Sequence, residues 1–355
     1  MTVAPHAPLT RLALHLLCFV FPAATLVYLA VAPTGLWVLP WLLVLVVPIS
    51  LDFVAGPERR APSPDLPRWP FDLSLYVLAG LHLLNVTGLA LMVSERGLLA
   101  FSSWMGILLV GASSGYSAIV VAHELVHRPR ALHRQLGRLL LTTALYEHFY
   151  TEHIRGHHAR VGTHDDPATA RFREPLRFFL RRTVPGQFRS AWALEARRLR
   201  ERGAFHPSNR VLQGVIGAAL VLVAVLVFAG PAALVAHLLQ AAVAVLLLEC
   251  VNYIEHWGLT RTGTTVRPVD SWDCPSWFTY YTLVGLSRHS DHHAHAARPY
   301  TELLWYENTP KLPWGYWATV VTALFRNRIV LRRMDKELRR CKLGPYADEA
   351  VAAQA

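Results

Sequence analysis

Charged residues and paired cysteines are scarce in this sequence, and both absences exclude classes of protein. Of 355 residues only 17% are charged, against about 25% in a typical soluble domain. The four cysteines include no CxxC pair, which excludes a disulfide framework and a rubredoxin-type or zinc-ribbon site within the chain. The net charge of +11 is not gathered into a compact basic motif, so we expect no nucleic-acid partner.

Apolar residues make up 53% of the chain and occur in runs of roughly 20, the length that spans about 30 Å of hydrocarbon. We predict an all-α integral membrane protein, folded as a single domain over residues 1–355, with six transmembrane helices. Short turns at 33–35, 94–97 and 230–231 join these helices into three hairpins. The predicted spans are 12–31, 36–54, 73–93, 98–121, 211–229 and 232–251.

Arginine concentrates in the segments that connect or follow the hairpins, at 55–72, 122–210 and 252–355. Three hairpins place these segments and both termini on one side of the membrane, and the positive-inside rule makes that side the cytoplasm. We therefore predict a multi-pass protein of the inner membrane. Segments 122–210 and 252–355 would form a cytoplasmic, histidine-rich catalytic cap, next to anionic lipid headgroups that suit the basic charge.

Nine histidines lie on this same side, in four short clusters. Histidines three or four residues apart share one face of a helix, and neutral imidazole is the commonest side-chain ligand of iron, zinc, copper and nickel. Nine ligands are too many for one ion, so the pattern predicts a two-metal centre. The candidate metal-ligating and catalytic residues are His123, His127, His153, His157, His158, His256, His289, His292 and His293.

Spacing also predicts how the clusters divide between two ions. His153 and His157 are one helical turn apart, whereas His158 lies about 100° around the helix and could reach a second ion. The spacing of three between His289 and His292 would have the same effect. Carboxylates near the clusters are candidates to orient the imidazoles through their second nitrogen; they are Glu124, Glu152, Asp165, Asp166, Glu255 and Asp291.

Other metal chemistries fit the pattern less well. The HExxH spacing at 123–127 also fits a zinc protease, but a protease needs one further ligand and the chain offers seven more. A metal transporter would need ionisable residues at the membrane midplane, and the spans hold few. All-nitrogen ligation leaves iron, copper, zinc and manganese open. Oxidation of a hydrocarbon from the lipid by O2, with electrons from the cytosol, favours iron.

Three motifs, HELVH at 123–127, EHIRGHH at 152–158 and RHSDHHA at 288–294, resemble the histidine boxes of the integral-membrane desaturase and hydroxylase superfamily. Within it the sequence most resembles the membrane alkane monooxygenases, through EHIRGHHARVGTHDDPATAR at 152–171 and NYIEHWGL at 252–259. The resemblance implies that the nine histidines bind two iron ions in a non-haem di-iron centre. It also implies O2 as co-substrate, hydroxylation of a terminal methyl group, and a hydrophobic substrate.

The resemblance further implies electrons from a small iron–sulfur carrier. Because the chain lacks the cysteines for one, we expect a separate rubredoxin or ferredoxin with its reductase. Departures from the family pattern, Arg128, Trp257 and segment 295–303, leave the substrate open. Similar proteins hydroxylate methyl groups on aromatic rings, as in xylene, or desaturate or decarboxylate fatty acids to terminal alkenes. A decarboxylase needs a cation near the irons, and the candidates are Arg155, Arg160 and Arg288.

Overall fold

The computed structural model describes residues 6–62, 66–261 and 263–347. Within these ranges the regular secondary structure is helical, with two isolated β-bridges and no strand. Four helices in the first part of the chain are long and apolar enough to cross a membrane. They are α1 (Pro8–Val31), α2 (Gly35–Val54), α3 (Trp69–Arg96) and α4 (Phe101–Val126).

These helices contain local departures from α-helical geometry. The 3-10 segment Gly35–Leu42 opens α2, which also contains Pro40 and Pro48, and proline cannot donate the N–H that an α-helix requires. A π-helical turn, Gly115–Val120, lies within α4. Beyond that turn α4 runs past the predicted end at 121, as far as Val126. This extension carries His123 and places His127 directly after the helix.

Polar residues inside α3 face the interior of the bundle. His82 and Asn85 are fully buried. Nε2 of His82 lies 2.8 Å from the hydroxyl of Thr143, and the amide of Asn85 donates to the carbonyl of Pro22 at 3.0 Å. These bonds satisfy groups that hydrocarbon could not, and they tie α3 to α1 and to the helix after α4.

The cap begins with three helices, and a fifth long apolar helix follows them. The π-helical turn His153–His157 interrupts α6 between His148–Glu152 and His158–Arg160. The basic helix α7 (Leu176–Arg198) packs against α6 and against the fifth long helix. In chain order the elements are α5 (Ala131–Thr143), α6 (residues 148–160), α7 (Leu176–Arg198) and α8 (Arg210–His256).

Helix α8 occupies the region where the sequence predicts two spans, so the described residues contain five long apolar helices rather than six. Gly230 breaks its geometry, with φ 83° and ψ 176°, a conformation essentially restricted to glycine. A Cβ built on Gly214 would meet the carboxylate of Glu147, and the neighbouring Tyr146 donates to Glu249 at 2.9 Å. A straight helix would separate Gly214 from Glu249 by about 50 Å. The chain therefore folds back at Gly230.

Hydrogen bonds join the long helices at the end of the bundle away from the cap. The hydroxyl of Tyr28 in α1 donates to the carbonyl of Ser102 in α4 at 2.6 Å. Near the end of α3, the hydroxyl of Ser94 donates to the carbonyl of Ala229, next to the fold-back of α8, at 2.5 Å. The turns between long helices therefore lie at one end of the bundle, and the histidine clusters lie at the other.

The last part of the chain completes the cap with α9 (Trp277–Thr282), α10 (His289–Ala294) and α11 (Tyr316–Cys341). Asp52 of α2 fixes this part to the bundle, because it accepts from the backbone N–H of Trp317 at 2.8 Å and from the hydroxyl of Thr279 at 2.9 Å. Its position at the start of α11 also suits the helix dipole. The predicted location of the two termini concerns residues 1–5 and 348–355, which lie outside the described residues.

Candidate metal centre

Two long helices carry histidines at their cap ends. His123 lies in the last turn of α4, and His127 is the first residue after that helix. Their ring centroids are 5.4 Å apart. His256 is the last residue of α8 and is fully buried. Rigid, packed helices thus hold three of the nine predicted ligands.

The π-helical turn of α6 changes which histidines of the second cluster point the same way. Regular α-helical spacing predicts that His153 pairs with His157. Instead, Nε2 of His158 lies 3.0 Å from Nε2 of His153, and His157 lies with other histidines. The predicted pairing is wrong because the i to i+5 bonding of a π-turn brings residues five apart onto one face.

The third histidine box divides differently from the prediction as well. In α10 the ring centroids of His289 and His293 are 4.5 Å apart, whereas those of His289 and His292 are 5.9 Å apart. Spacings of three and four are both compatible with one helix face. Here His289 shares a group with His293, four residues later, and not with His292. His292 points to the group that contains His153.

All nine predicted ligand residues gather in two groups, and each group draws on three helical segments or their ends. Within each group the candidate ligand atoms lie within 4.8 Å of one another. The five-histidine group consists of His123, His127, His153, His158 and His292. The four-histidine group consists of His157, His256, His289 and His293.

The nitrogen atoms of these groups fit metal ions better than they fit one another. Nε2 atoms approach to 2.9 Å between His127 and His153 and to 3.2 Å between His158 and His292. A neutral imidazole carries a proton on only one nitrogen. Mutual hydrogen bonds therefore cannot satisfy all of the converging Nε2 atoms. A divalent transition-metal ion would accept their lone pairs.

Burial keeps these imidazoles in the neutral form that binds metals. Loss of hydration, followed by repulsion from neighbouring histidines, holds the pKa of His153, His292 and His293 well below the ordinary value of 6.5. At neutral pH little proton competition therefore opposes metal binding.

Two of the six predicted supporting carboxylates contact histidines of these groups. Asp166, which is almost fully buried, lies 2.8 Å from Nδ1 of His157 through its Oδ2. Glu255 lies 3.2 Å from Nε2 of His289 through its Oε2. The two contacts involve different ring nitrogens: Asp166 leaves Nε2 of its histidine free, whereas Glu255 lies on the Nε2 side.

The other four predicted carboxylates have different partners among the described residues. Arg128 and Arg160 pair with Glu124 and Glu152, each at 2.7 Å. Asp165 is exposed. Asp291 accepts hydrogen bonds around the segment after α10, from His295 at 2.8 Å and from Tyr306 at 2.9 Å. These contacts lie within the cap and involve no histidine of the two groups.

An apolar cavity opens on both histidine groups. The sequence analysis did not identify most of its lining, because the residues come from distant helices and look like ordinary core positions. Small residues on α4, at 112 and 115, were the available signal for open space. The apolar lining includes Tyr116, Ile119, Phe149, Leu247, Val251, Leu286, Trp317 and Val320.

Comparison with known proteins identifies the family. The family model described as fatty acid desaturase matches residues 101–322, which include all nine histidines. The chain belongs to the fatty acid desaturase family. The resemblance predicted from the three histidine boxes is thereby confirmed.

Relatives of this family member include proteins named as monooxygenases. Alkane 1-monooxygenase 1 of Pseudomonas aeruginosa is 38% identical over 284 residues, which cover 76% of this chain and 73% of the relative. Alkane 1-monooxygenase 1 of Alcanivorax borkumensis is 33% identical over 331 residues, covering 88% and 81%. The xylene/toluene monooxygenase hydroxylase component of Pseudomonas putida is 27% identical over 305 residues, covering 79% and 77%. The predicted oxidoreductase class, a monooxygenase, is confirmed.

Proposed function

We propose that this desaturase-family protein binds two iron ions and uses O2 to hydroxylate the terminal methyl group of an alkane or a similar hydrophobic substrate. The observation that carries the proposal is the junction of the apolar cavity with both histidine groups. His123 and His153 of the five-histidine group line the cavity, as do His157 and His289 of the four-histidine group. The names of the alkane 1-monooxygenase relatives support the choice of substrate.

The cavity suits a substrate that has no charged group. Its lining is almost entirely apolar, and no arginine or lysine contributes to it. From the histidines it extends along α4 to Ala112, eleven residues before His123 and about 16 Å away along the helix. A linear chain could therefore lie in the cavity with one end at the histidines. Apolar walls would exclude water and hold that end in place.

A fatty acid decarboxylase is the weaker alternative, because none of the three candidate cations lies in the cavity lining. Arg155 pairs with Glu195 at 2.7 Å, and Arg160 pairs with the carboxylate of Glu152. Arg288 is buried between aromatic rings, 4.9 Å from the centroid of Trp305. None of the three lines the cavity, so a substrate carboxylate would have no cation there.

The roles of the residues follow from their contacts. The imidazoles of both groups would hold the two ions, and Asp166 would fix the ring orientation of His157. When bound, iron supplies the activation of O2, so that one oxygen atom enters a C–H bond and the other leaves as water with two electrons and two protons. The protein positions the methyl group and keeps the site dry.

The two electrons require a carrier, and a basic groove offers a docking place for an acidic rubredoxin or ferredoxin. Arg128 lines this groove directly after His127 in sequence, and His295 lines it two residues after His293. Arg68, Arg130 and Arg298 contribute further positive charge, alongside the carboxylates Asp72 and Glu302. Complementary charge accelerates docking of an oppositely charged partner. Two of the departures from the family pattern, Arg128 and segment 295–303, thus contribute residues to the groove.

The fold-back at Gly230 supports six membrane crossings, with the cap in the cytoplasm of the inner membrane. Single cysteines introduced at exposed cap positions such as Arg189 should react with a membrane-impermeant thiol reagent only after spheroplasts are opened. Cysteine at Leu36 or at Leu99, both exposed residues near turns at the opposite end, should react in intact spheroplasts. Reaction of the cap from outside would reject the orientation.

Reconstitution tests the proposed reaction. Purified protein loaded with Fe(II) would receive O2, a reduced rubredoxin or ferredoxin with its reductase, and separately an alkane series, xylenes and fatty acids. Mass spectrometry should find terminal alcohols from the alkanes. A benzylic alcohol from xylene as the preferred product would support the aromatic alternative, and a terminal alkene with CO2 from a fatty acid would support decarboxylation. Absence of every product would reject the proposal.

A further inference from the structure

The two histidine groups differ by one donor, and a carboxylate lies beside the smaller group. Glu255 is 2% exposed, and its Oε2 lies 3.2 Å from Nε2 of His289. The same nitrogen lies 3.2 Å from Nε2 of His256. The carboxylate oxygen therefore lies beside one of the converging nitrogen atoms of the four-histidine group.

Glu255 contacts its histidine through a different ring nitrogen from the one that Asp166 contacts. Asp166 contacts His157 through Nδ1 at 2.8 Å, which is where a carboxylate that only orients a ligand ring belongs. Glu255 contacts its histidine through Nε2 instead. Nδ1 of His289 is buried and has no hydrogen-bond partner in the described residues. Glu255 therefore does not orient the ring through its second nitrogen.

A metal ion would change the contact between Glu255 and His289. An Nε2 atom that binds a metal ion carries no proton and cannot donate a hydrogen bond. The oxygen of Glu255 would then receive no hydrogen bond from that nitrogen, and binding the same ion would replace the lost contact. Mixed imidazole and carboxylate ligation is well suited to iron.

The charge environment of Glu255 supports the same conclusion. Its one ion-pair contact in the described residues is with His289, and neither lysine nor arginine lies within 4.0 Å of its carboxylate. A buried carboxylate without a cation is costly. The hydroxyl of Tyr316 donates to Oε1 at 2.6 Å, which satisfies one oxygen but supplies no positive charge. A divalent ion would supply that charge.

We propose that Glu255 is a tenth metal ligand, which completes the four-histidine group through Oε2 while Tyr316 holds Oε1. This inference rests on the proposed two-iron function and adds that the two ions have different ligand sets. One ion has imidazoles alone, and the other has four imidazoles and a carboxylate. Because Glu255 also lines the apolar cavity, the carboxylate-bound ion borders the substrate.

The test compares Glu255→Gln with wild-type protein after loading both with ⁵⁷Fe(II). Mössbauer spectra and iron content should show a change in, or loss of, one half of the iron signal in E255Q, with the other half unchanged. Competition with a chelator should show one ion held about 10–100-fold more weakly, the usual size of such effects. Glu249→Gln is the matched control, because Glu249 is buried in the same helix but is bonded to Tyr146, Thr183 and Gln187.

Each outcome decides between the proposals. An E255Q spectrum and iron content equal to those of wild type would overturn the ligand assignment, and so would an equal loss of iron from E249Q. If E255Q does not accumulate in membranes, infrared difference spectra of wild type with and without Fe(II) replace it. They should show shifted carboxylate stretches on iron binding, and their absence would overturn the assignment. Fewer than two irons bound by wild type would instead reject the proposed function.

Discussion

Oδ2 of Asp166 lies 2.8 Å from Nδ1 of His157, and this contact turns Nε2 of the same ring toward the four-histidine group. The hydroxyl of Thr169 and the backbone N–H of Ala168 donate to the Asp166 carboxylate at 2.6 Å and 3.1 Å. The carboxylate is therefore held from several directions. A carboxylate fixed in this way sets the tautomer of a ligand imidazole and increases its basicity.

Asp166→Asn should weaken metal binding without unfolding the protein, because the amide keeps the size of the side chain but removes its charge. We expect a loss of about 10–100-fold in the affinity for one ion, measured as iron retained against a graded chelator. Asp165→Asn, at the exposed neighbouring position, should bind iron as wild type does. Equal iron retention by the two variants would show that the contact with His157 is unimportant for the metal.

Ala112→Phe should shorten the longest alkane that the protein accepts. Ala112 lines the cavity far from the histidines, and a phenyl ring there would fill space that only a long chain reaches. We expect kcat/KM to fall by about tenfold or more for long alkanes, equivalent to about 1.4 kcal/mol, with little change for short ones. Leu108→Phe, on an exposed position of the same helix, is the control. A uniform loss across chain lengths would contradict the assignment of the cavity.

Arg130→Glu should slow turnover that depends on the electron carrier. Arg130 is exposed in the basic groove, so reversal of its charge would weaken attraction of an acidic partner. At low salt we expect the KM for the carrier to rise roughly tenfold, and the difference from wild type should shrink as ionic strength screens the charges. Arg189→Glu, exposed on α7, should change little. An equal effect of both substitutions would point to a general influence of net charge.

Gly230→Ala should destabilise the protein, because the φ of 83° at this fold-back disfavours any side chain. Strain of this kind costs on the order of 1–3 kcal/mol. A Cβ at Gly230 would meet no atom within 4 Å, so a fall in melting temperature in detergent would report backbone strain alone. Gly80→Ala, in the ordinary helical conformation of α3 and with equally open space, should leave stability unchanged or raise it. Similar melting temperatures for the two variants would argue against the fold-back.

The sequence predicted the helical class, the turn at 230–231 and the residues that converge, because apolar run length and histidine spacing are local properties. It did not predict how His153, His157 and His158 divide between the two groups. That division depends on the π-turn of α6, whose bonding costs local energy and persists only where packing supports it.

Contacts between residues far apart in the chain could not be predicted from the sequence either. Tyr316 donates to Glu255 across 61 positions of the chain, and no spacing rule reaches that far. The same holds for the cavity, since Phe149, Leu286 and Trp317 line it from three separate parts of the cap. Local patterns therefore identify the histidines that gather, whereas tertiary packing determines how they are grouped and what they face.

The most direct test of the central claim is the fate of ¹⁸O2 during turnover of an alkane by the iron-loaded protein with its reduced carrier. Our account predicts a terminal alcohol that carries one ¹⁸O atom, and no such product from His158→Ala, while His164→Ala, at an exposed position outside both groups, remains active. Alcohol oxygen derived from water, or undiminished product from His158→Ala, would contradict it.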